Sequence, residues 1–197
     1  MKNKNLKFRT DTLYASVAYL CMKHRGKYDM LALIKALYIA ERQSITTEHT
    51  SITWDSFVCR EDGPVLYNLQ LLMNKKKHGV EQVNWNTYFS KKKKRVSISS
   101  NTAYDICLNN LPNMGVLSPL QCSFLDMGDE FVTKAPYGKL VSEIHKFCKE
   151  WKTKYPKGEN ISYYDILKHT LSNKYTDAVL RDIASDIESS REFMLMV

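Results

Sequence analysis

Apolar residues recur every three or four positions along most of the chain, the spacing of helices that bury one stripe. Leu13, Val17, Leu20 and Cys21 form the first stripe, with Asp11 as its N-cap and Gly26 beyond its end. Asp29 caps a second helix, MLALIKALYIAER, whose face of Leu33, Ile34, Leu37 and Tyr38 is widened by Met30 and Ile39. Residues 43–51, QSITTEHTS, are polar and β-branched and read as a loop. Leu66, Leu69, Leu72 and Met73 predict a helix to Asn74 that starts at Pro64, where a missing N–H costs nothing. NTAYDICLNNL reads as another helix, closed by Pro112 and Gly115. Ser118, Pro119 and Gln121 form a capping box ahead of Phe124, Met127 and Phe131, with Gly128 inside that helix. Leu140, Val141, Ile144, Phe147, Cys148 and Trp151 predict one unbroken helix. Ser162 with Asp165 caps YYDILKHTL, and Thr176 caps a helix striped by Val179, Leu180, Ile183 and Ile187.

Two stretches follow a period of two instead. SITWDSFVC predicts a short strand near 52–59. In VNWNTYFSKKKKRVSIS, Val83, Trp85, Thr87 and Phe89 alternate, as do Val96 and Ile98, which predicts a hairpin over 83–98 with SKKKKR at its tip. The fold class expected is α+β, mainly α: a compact bundle of about eight helices with a short strand and a small β-hairpin inserted in the first half. No internal repeat or long low-complexity linker divides the chain.

Composition narrows the class. The 197 residues are 44% hydrophobic and 25% charged, the balance of a soluble globular chain. No apolar run reaches the roughly 18 residues of a spanning helix, and the basic start MKNKNLKFRT has no apolar stretch behind it, so a cytoplasmic protein is expected without membrane contact. The five cysteines are scattered and unpaired in spacing, which reads as reduced core thiols and not as disulfides or a zinc site. The net charge of +8 is concentrated: eight Lys/Arg and one acid fall between Lys75 and Arg95, so that segment alone carries +7.

No phosphate-binding glycine loop, nucleophile elbow or metalloprotease helix occurs, and no enzyme, metal or cofactor is expected. His145 and Cys148 lie three apart, but Cys148 falls in the apolar stripe and reads as core. His24, His49, His78 and His169 are isolated, and Asp126, Asp129 and Glu130 read as a solvated helix face. Glu61 and Asp62 precede Gly63–Pro64 and read as acids serving a helix N-terminus. The basic hairpin leaves three readings open. Lys91, Lys92, Lys93, Lys94 and Arg95, with Trp85 and Tyr88 on the arm and Lys75, Lys76 and Lys77 beside them, suit a nucleic-acid wing. They equally suit a charge run guarding an edge hairpin or a dock for an acidic protein.

MLALIKALYIAER followed by TSITWDSFVCREDGPVLYNL resembles the Panacea domain of SocA-like antitoxins and phage-associated proteins. The family's L-x-K-x-x-Y-x-A-[D/E] helix is matched by Leu33, Lys35, Tyr38, Ala40 and Glu41, with Glu where Asp is usual. Ile52, Thr53, Phe57, Gly63, Pro64 and Val65 follow in order, although Asp62 stands where a bulkier residue is common. Leu117–Ser118 and His145 with Trp151 fit the later motifs. The resemblance implies a single Panacea-like domain over 1–197, with a core at about 12–155 and a helical extension over 156–197. It implies an antitoxin that binds a cognate toxin protein and holds it inactive, one branch of the family acting as a protease adaptor. The expected contacts are the basic segment, Trp54 and the apolar tail from Phe193. The alternatives are a nucleic-acid-binding regulator using the hairpin and a phage-encoded inhibitor of a host defence protein.

Overall fold

The computed structural model describes residues 8–94, 103–136, 138–154 and 159–196. Helix α1 (Thr10–Lys23) leads through β1 (Lys27–Asp29) into the long α2 (Met30–Glu48). Strands β2 (Phe57–Arg60) and β3 (Gly63–Leu66) precede α3 (Tyr67–Met73) and α4 (Val80–Tyr88). β4 (Phe89–Lys93) and β5 (Tyr104–Leu108) follow, then α5 (Pro119–Lys134), α6 (Leu140–Phe147) and α7 (Lys149–Lys154). β6 (Asn160–Ile161), α8 (Tyr163–Leu171) and α9 (Asp177–Met194) complete the described chain. The strands form two small antiparallel sheets, ordered β1-β5-β4 and β3-β2-β6. The architecture is α+β and mainly α.

Helix α2 is the axis of the fold. Every residue from Leu33 to Arg42 is buried, so it is covered on all sides and not only along a stripe. Its N-terminus is closed by Asp29, which accepts from the Ala32 N–H at 3.0 Å. It continues through residues expected to be a loop, as far as Glu48. Ser44 and Ile45 are buried, and the Thr46 and Thr47 hydroxyls donate to the Arg42 and Gln43 carbonyls one turn back. That local bonding lets β-branched residues stay helical. Ser118–Gln121, Ser162–Asp165 and Thr176 cap α5, α8 and α9 as their sequences predict.

Helix α5 crosses α2 at close range. A Cβ on Gly128 would lie 2.1 Å from the Ala36 carbonyl oxygen and 3.2 Å from the Ala40 nitrogen. Gly128, Ala36 and Ala40 therefore bring two backbones together, which no larger residue permits.

The predicted hairpin is built differently. Residues 80–88 are helical, β4 begins at Phe89, and its partner is β5 at 104–108, expected as helix. The alternation of Tyr104, Ile106 and Leu108 is a true period of two, with Ile106 fully buried. Val83 is 63% exposed while Trp85 is buried against Tyr14 and Phe89, so the period of two across 83–89 does not mark one face. Arg95, Val96 and Ile98 lie outside the described residues. The strand expected at 52–59 starts only at Phe57. The stripe from Leu140 to Trp151 is broken at Cys148. Cys148, Glu150 and Trp151 all face inward, and an unbroken helix would set 148 and 150 on opposite sides.

Gly128→Ala is expected to cost about 3 kcal/mol in urea denaturation, because the clash is with backbone that cannot rotate away. Met127→Ala, at an exposed neighbour, is expected to stay within about 0.5 kcal/mol.

Candidate functional site

The stretch from Arg60 to Pro64 is a turn, not the entry to a helix. Arg60 pairs with Gly63 across two antiparallel strands, so Glu61 and Asp62 form a two-residue exposed turn and Pro64 sits in β3. Three side chains from other elements grip this turn. Lys35, fully buried on α2, donates from Nζ to the Pro64 carbonyl at 3.1 Å. Trp151 donates from Nε1 to the Arg60 carbonyl at 2.8 Å. His145 hydrogen-bonds the backbone of Glu61 and stacks flat on Trp151, with ring centres 3.7 Å apart. Gly63 adopts φ +101°, and a Cβ there would sit 2.8 Å from Ile144 Cγ2. Lysine, glycine, histidine and tryptophan thus meet at one hairpin, although up to 116 positions separate them in the chain.

The electrostatics of this clamp follow from burial. Desolvation lowers the Lys35 ammonium to about 8, with the Asp62 charge opposing the shift. His145 is lowered by burial and then by Lys35, so it is held toward the neutral ring. Cys148 packs beside them as a core thiol. Burial pushes its ionisation far up, which makes it a poor nucleophile.

Three buried carboxylates, Glu150, Glu41 and Asp55, tie further segments together. Glu150 accepts from Tyr38 Oη at 3.0 Å and from Arg42 Nε at 2.8 Å, anchoring α7 on α2. Glu41 accepts from the Ser51 and Thr53 hydroxyls and from the Ile52 and Thr53 N–H groups, so this motif residue fixes the 51–53 loop. Asp55 accepts from the N–H groups of Ser56, Asn68 and Leu69 and from Asn68 Nδ2. It is Asp55, and neither Glu61 nor Asp62, that serves the N-terminus of α3. The expected helix-capping role of Glu61 and Asp62 is therefore wrong, because the β2–β3 turn places them a strand away from that helix.

The expected contact residues divide. Lys75 and Lys76 are exposed, and Lys77 lies over the Phe8 ring at 5.1 Å. Lys91 donates to Asn74 Oδ1 at 3.0 Å and lies over the Tyr104 ring at 4.3 Å, so it joins the two lysine runs. Strand alternation places Lys93 on the side of Lys91, and Lys92 and Lys94 on the other, where Lys94 reaches Asp29. The run expected as a hairpin tip is therefore a strand with two cationic sides. Trp54 and Trp85 are both buried, so neither offers an open face. Trp54 carries a positive φ of 55°, its carbonyl accepting from Arg191 Nε. Phe193 is 67% exposed.

One cluster was missed. Asp126, Asp129 and Glu130 were expected to be a solvated face, yet Asp129 is buried and bonded to Tyr28 Oη, His24 Nε2 at 2.7 Å and Lys23 Nζ at 3.2 Å. Asp126 takes Lys23 and Tyr19. The partners lie about 100 positions upstream, and nothing in the local spacing announces them.

Residues 33–152 match the antitoxin SocA-like family, Panacea domain, and the chain belongs to that family. The match spans Lys35, the β2–β3 turn, His145 and Trp151, the whole of the clamp. Comparison with curated proteins and with solved structures finds no match. Among the described residues no helix is long and apolar enough to cross a membrane.

Asp55→Ala is expected to cost about 2 kcal/mol, while Glu61→Ala with Asp62→Ala stays within about 0.5 kcal/mol, both by chemical denaturation. The folded Lys35 ionises at about 8 against an unfolded value of 10.5, so the unfolded state binds the extra proton between those limits. Stability relative to Lys35→Met is then expected to rise by up to about 3 kcal/mol from pH 8 to 10.5. A flat difference across that window would show the ammonium is not desolvated.

Proposed function

We propose that this antitoxin-family protein neutralises its cognate toxin by direct, non-catalytic binding through the platform of Lys75, Lys76, Lys77, Lys91 and Lys93. The observation that carries the reading is the Lys91–Asn74 hydrogen bond, which joins two lysine runs some 14 positions apart into one surface. Those cations stand on a fold whose buried Lys35 holds the Pro64 carbonyl and whose Cys148 packs in the core. The chemistry of the platform fits an acidic face on the toxin. Charge complementarity there raises the association rate and selects the partner more than it adds affinity. The burial of Trp85 and Phe89 leaves half-buried Tyr88 as the one aromatic of that arm open to stack on a base, which favours the protein-binding reading.

The test is rescue of cells expressing the toxin. Lys76→Glu with Lys93→Glu is expected to lose rescue while the melting temperature stays unchanged, and Lys92→Glu, on the other side of β4, is expected to keep it. Rescue retained by the double variant would sink the platform. Salt-sensitive binding to duplex DNA, with a log–log slope of several units, would replace this reading with a nucleic-acid one.

A further inference from the structure

On the Lys94 side of β4 lies a cleft of about 370 Å³, within the range of small-ligand sites. Its walls come from the turn after α1, β1, the first turn of α2, β5 and the end of α5. Lys27 and Lys94 supply its cations beside His24, and Asp29 and Asp105 are its half-buried acids. Tyr28, Ala32 and Val132 line it with apolar surface.

The acids are unequal. Asp29 is already used, one oxygen accepting from the Ala32 N–H and the other 3.4 Å from Lys94 Nζ. Asp129, behind the wall, is saturated by Tyr28, His24 and Lys23. Burial pushes the Asp129 carboxyl up, but those donors hold it below its usual value. The Asp129 carboxylate bonded to His24 Nε2 fixes the ring, whose centre also packs 4.2 Å from that of Tyr28. Lys27 has no ion pair among the described residues, and Asp105 stands directly opposite Asp29 in the sheet with no ion pair among them either. The cleft therefore offers Lys27, Lys94 beside Asp29, an imidazole oriented through its Nε2, and Asp105, which has no ion pair among the described residues.

We infer that this cleft binds a phosphomonoester carried on a hydroxyl-bearing sugar. Lys27 and Lys94 take the phosphate oxygens with the fixed His24 ring beside them, and Asp105 accepts from a sugar hydroxyl. A plain carboxylate uses fewer of the donors, and a cation meets two lysines. Thr133 donates its own hydroxyl to the Asp129 carbonyl and offers only lone pairs to a ligand. A sugar phosphate and a nucleotide share this chemistry.

Isothermal titration at low ionic strength, with ribose 5-phosphate, AMP, ribose and inorganic phosphate as probes, tests it. Ribose 5-phosphate is expected to saturate one site with Kd below about 1 mM, and ribose to give no heat. Tighter binding of AMP assigns a nucleotide, and equal binding assigns a sugar phosphate. Lys27→Gln, which leaves the Asp129 network intact, is expected to weaken binding about tenfold, and His24→Gln similarly. Asp105→Asn is expected to weaken ribose 5-phosphate while leaving inorganic phosphate no weaker. Lys76→Glu, on the toxin-facing platform, should change nothing, which separates this site from that one. Absence of saturation, equal affinity for inorganic phosphate and ribose 5-phosphate, or unchanged binding by Lys27→Gln at a wild-type melting temperature would each overturn the inference.

Discussion

The contact on which the rest depends is the crossing of α5 over α2 at Gly128. Because residue 128 has no side chain, α5 can sit against the Ala36 carbonyl and the Ala40 nitrogen. That closeness covers one side of α2, and its neighbours cover the others, so a helix whose residues 33–42 are all buried has nowhere else to go. The same approach carries Asp129 onto His24 and Tyr28, and so builds the wall of the cleft. A helix wrapped on every side must also carry its polar residues inward. Lys35, Glu41 and Arg42 are buried, and each meets a specific partner.

Those partners explain why the family signature is spread so widely. Burying a lone charge costs far more than burying a paired one, so each buried ion on α2 fixes a distant segment. Lys35 fixes the β2–β3 turn, Glu41 fixes the 51–53 loop, and Arg42 fixes α7 through Glu150. His145 and Trp151 close the turn from the other side, and the break at Cys148 is what lets both reach it. The clamp is therefore scaffold. The lysine platform and the cleft lie on the two sides of β4, away from this clamp.

Much of the architecture was legible in local chemistry. Capping at Asp29, Ser118, Ser162 and Thr176 and the stripes of α1, α5 and α9 follow from spacing alone, because caps and amphipathic faces are set within a few residues. The motif residues that mark the family were legible too, as a pattern without a place. Local spacing misled where two periods fit one stretch. Residues 83–89 satisfy a period of two, yet 83–88 form a helix, since Trp85 must bury against Tyr14 and Phe89. Residues 104–108 read as helix and form the central strand of their sheet, since their partners lie on β1 and β4.

By itself the sequence determined the starts of α2, α5, α8 and α9, the mainly helical class, the family and the position of the charge. Only the tertiary structure decided which acid caps α3, which tryptophans are hidden, and that His24 and Asp129 belong together. Caps and stripes are written within one turn of chain. A buried pair is written in two segments that have no reason to be compared until the backbone, here at Gly128 and Ala36, has brought them into contact.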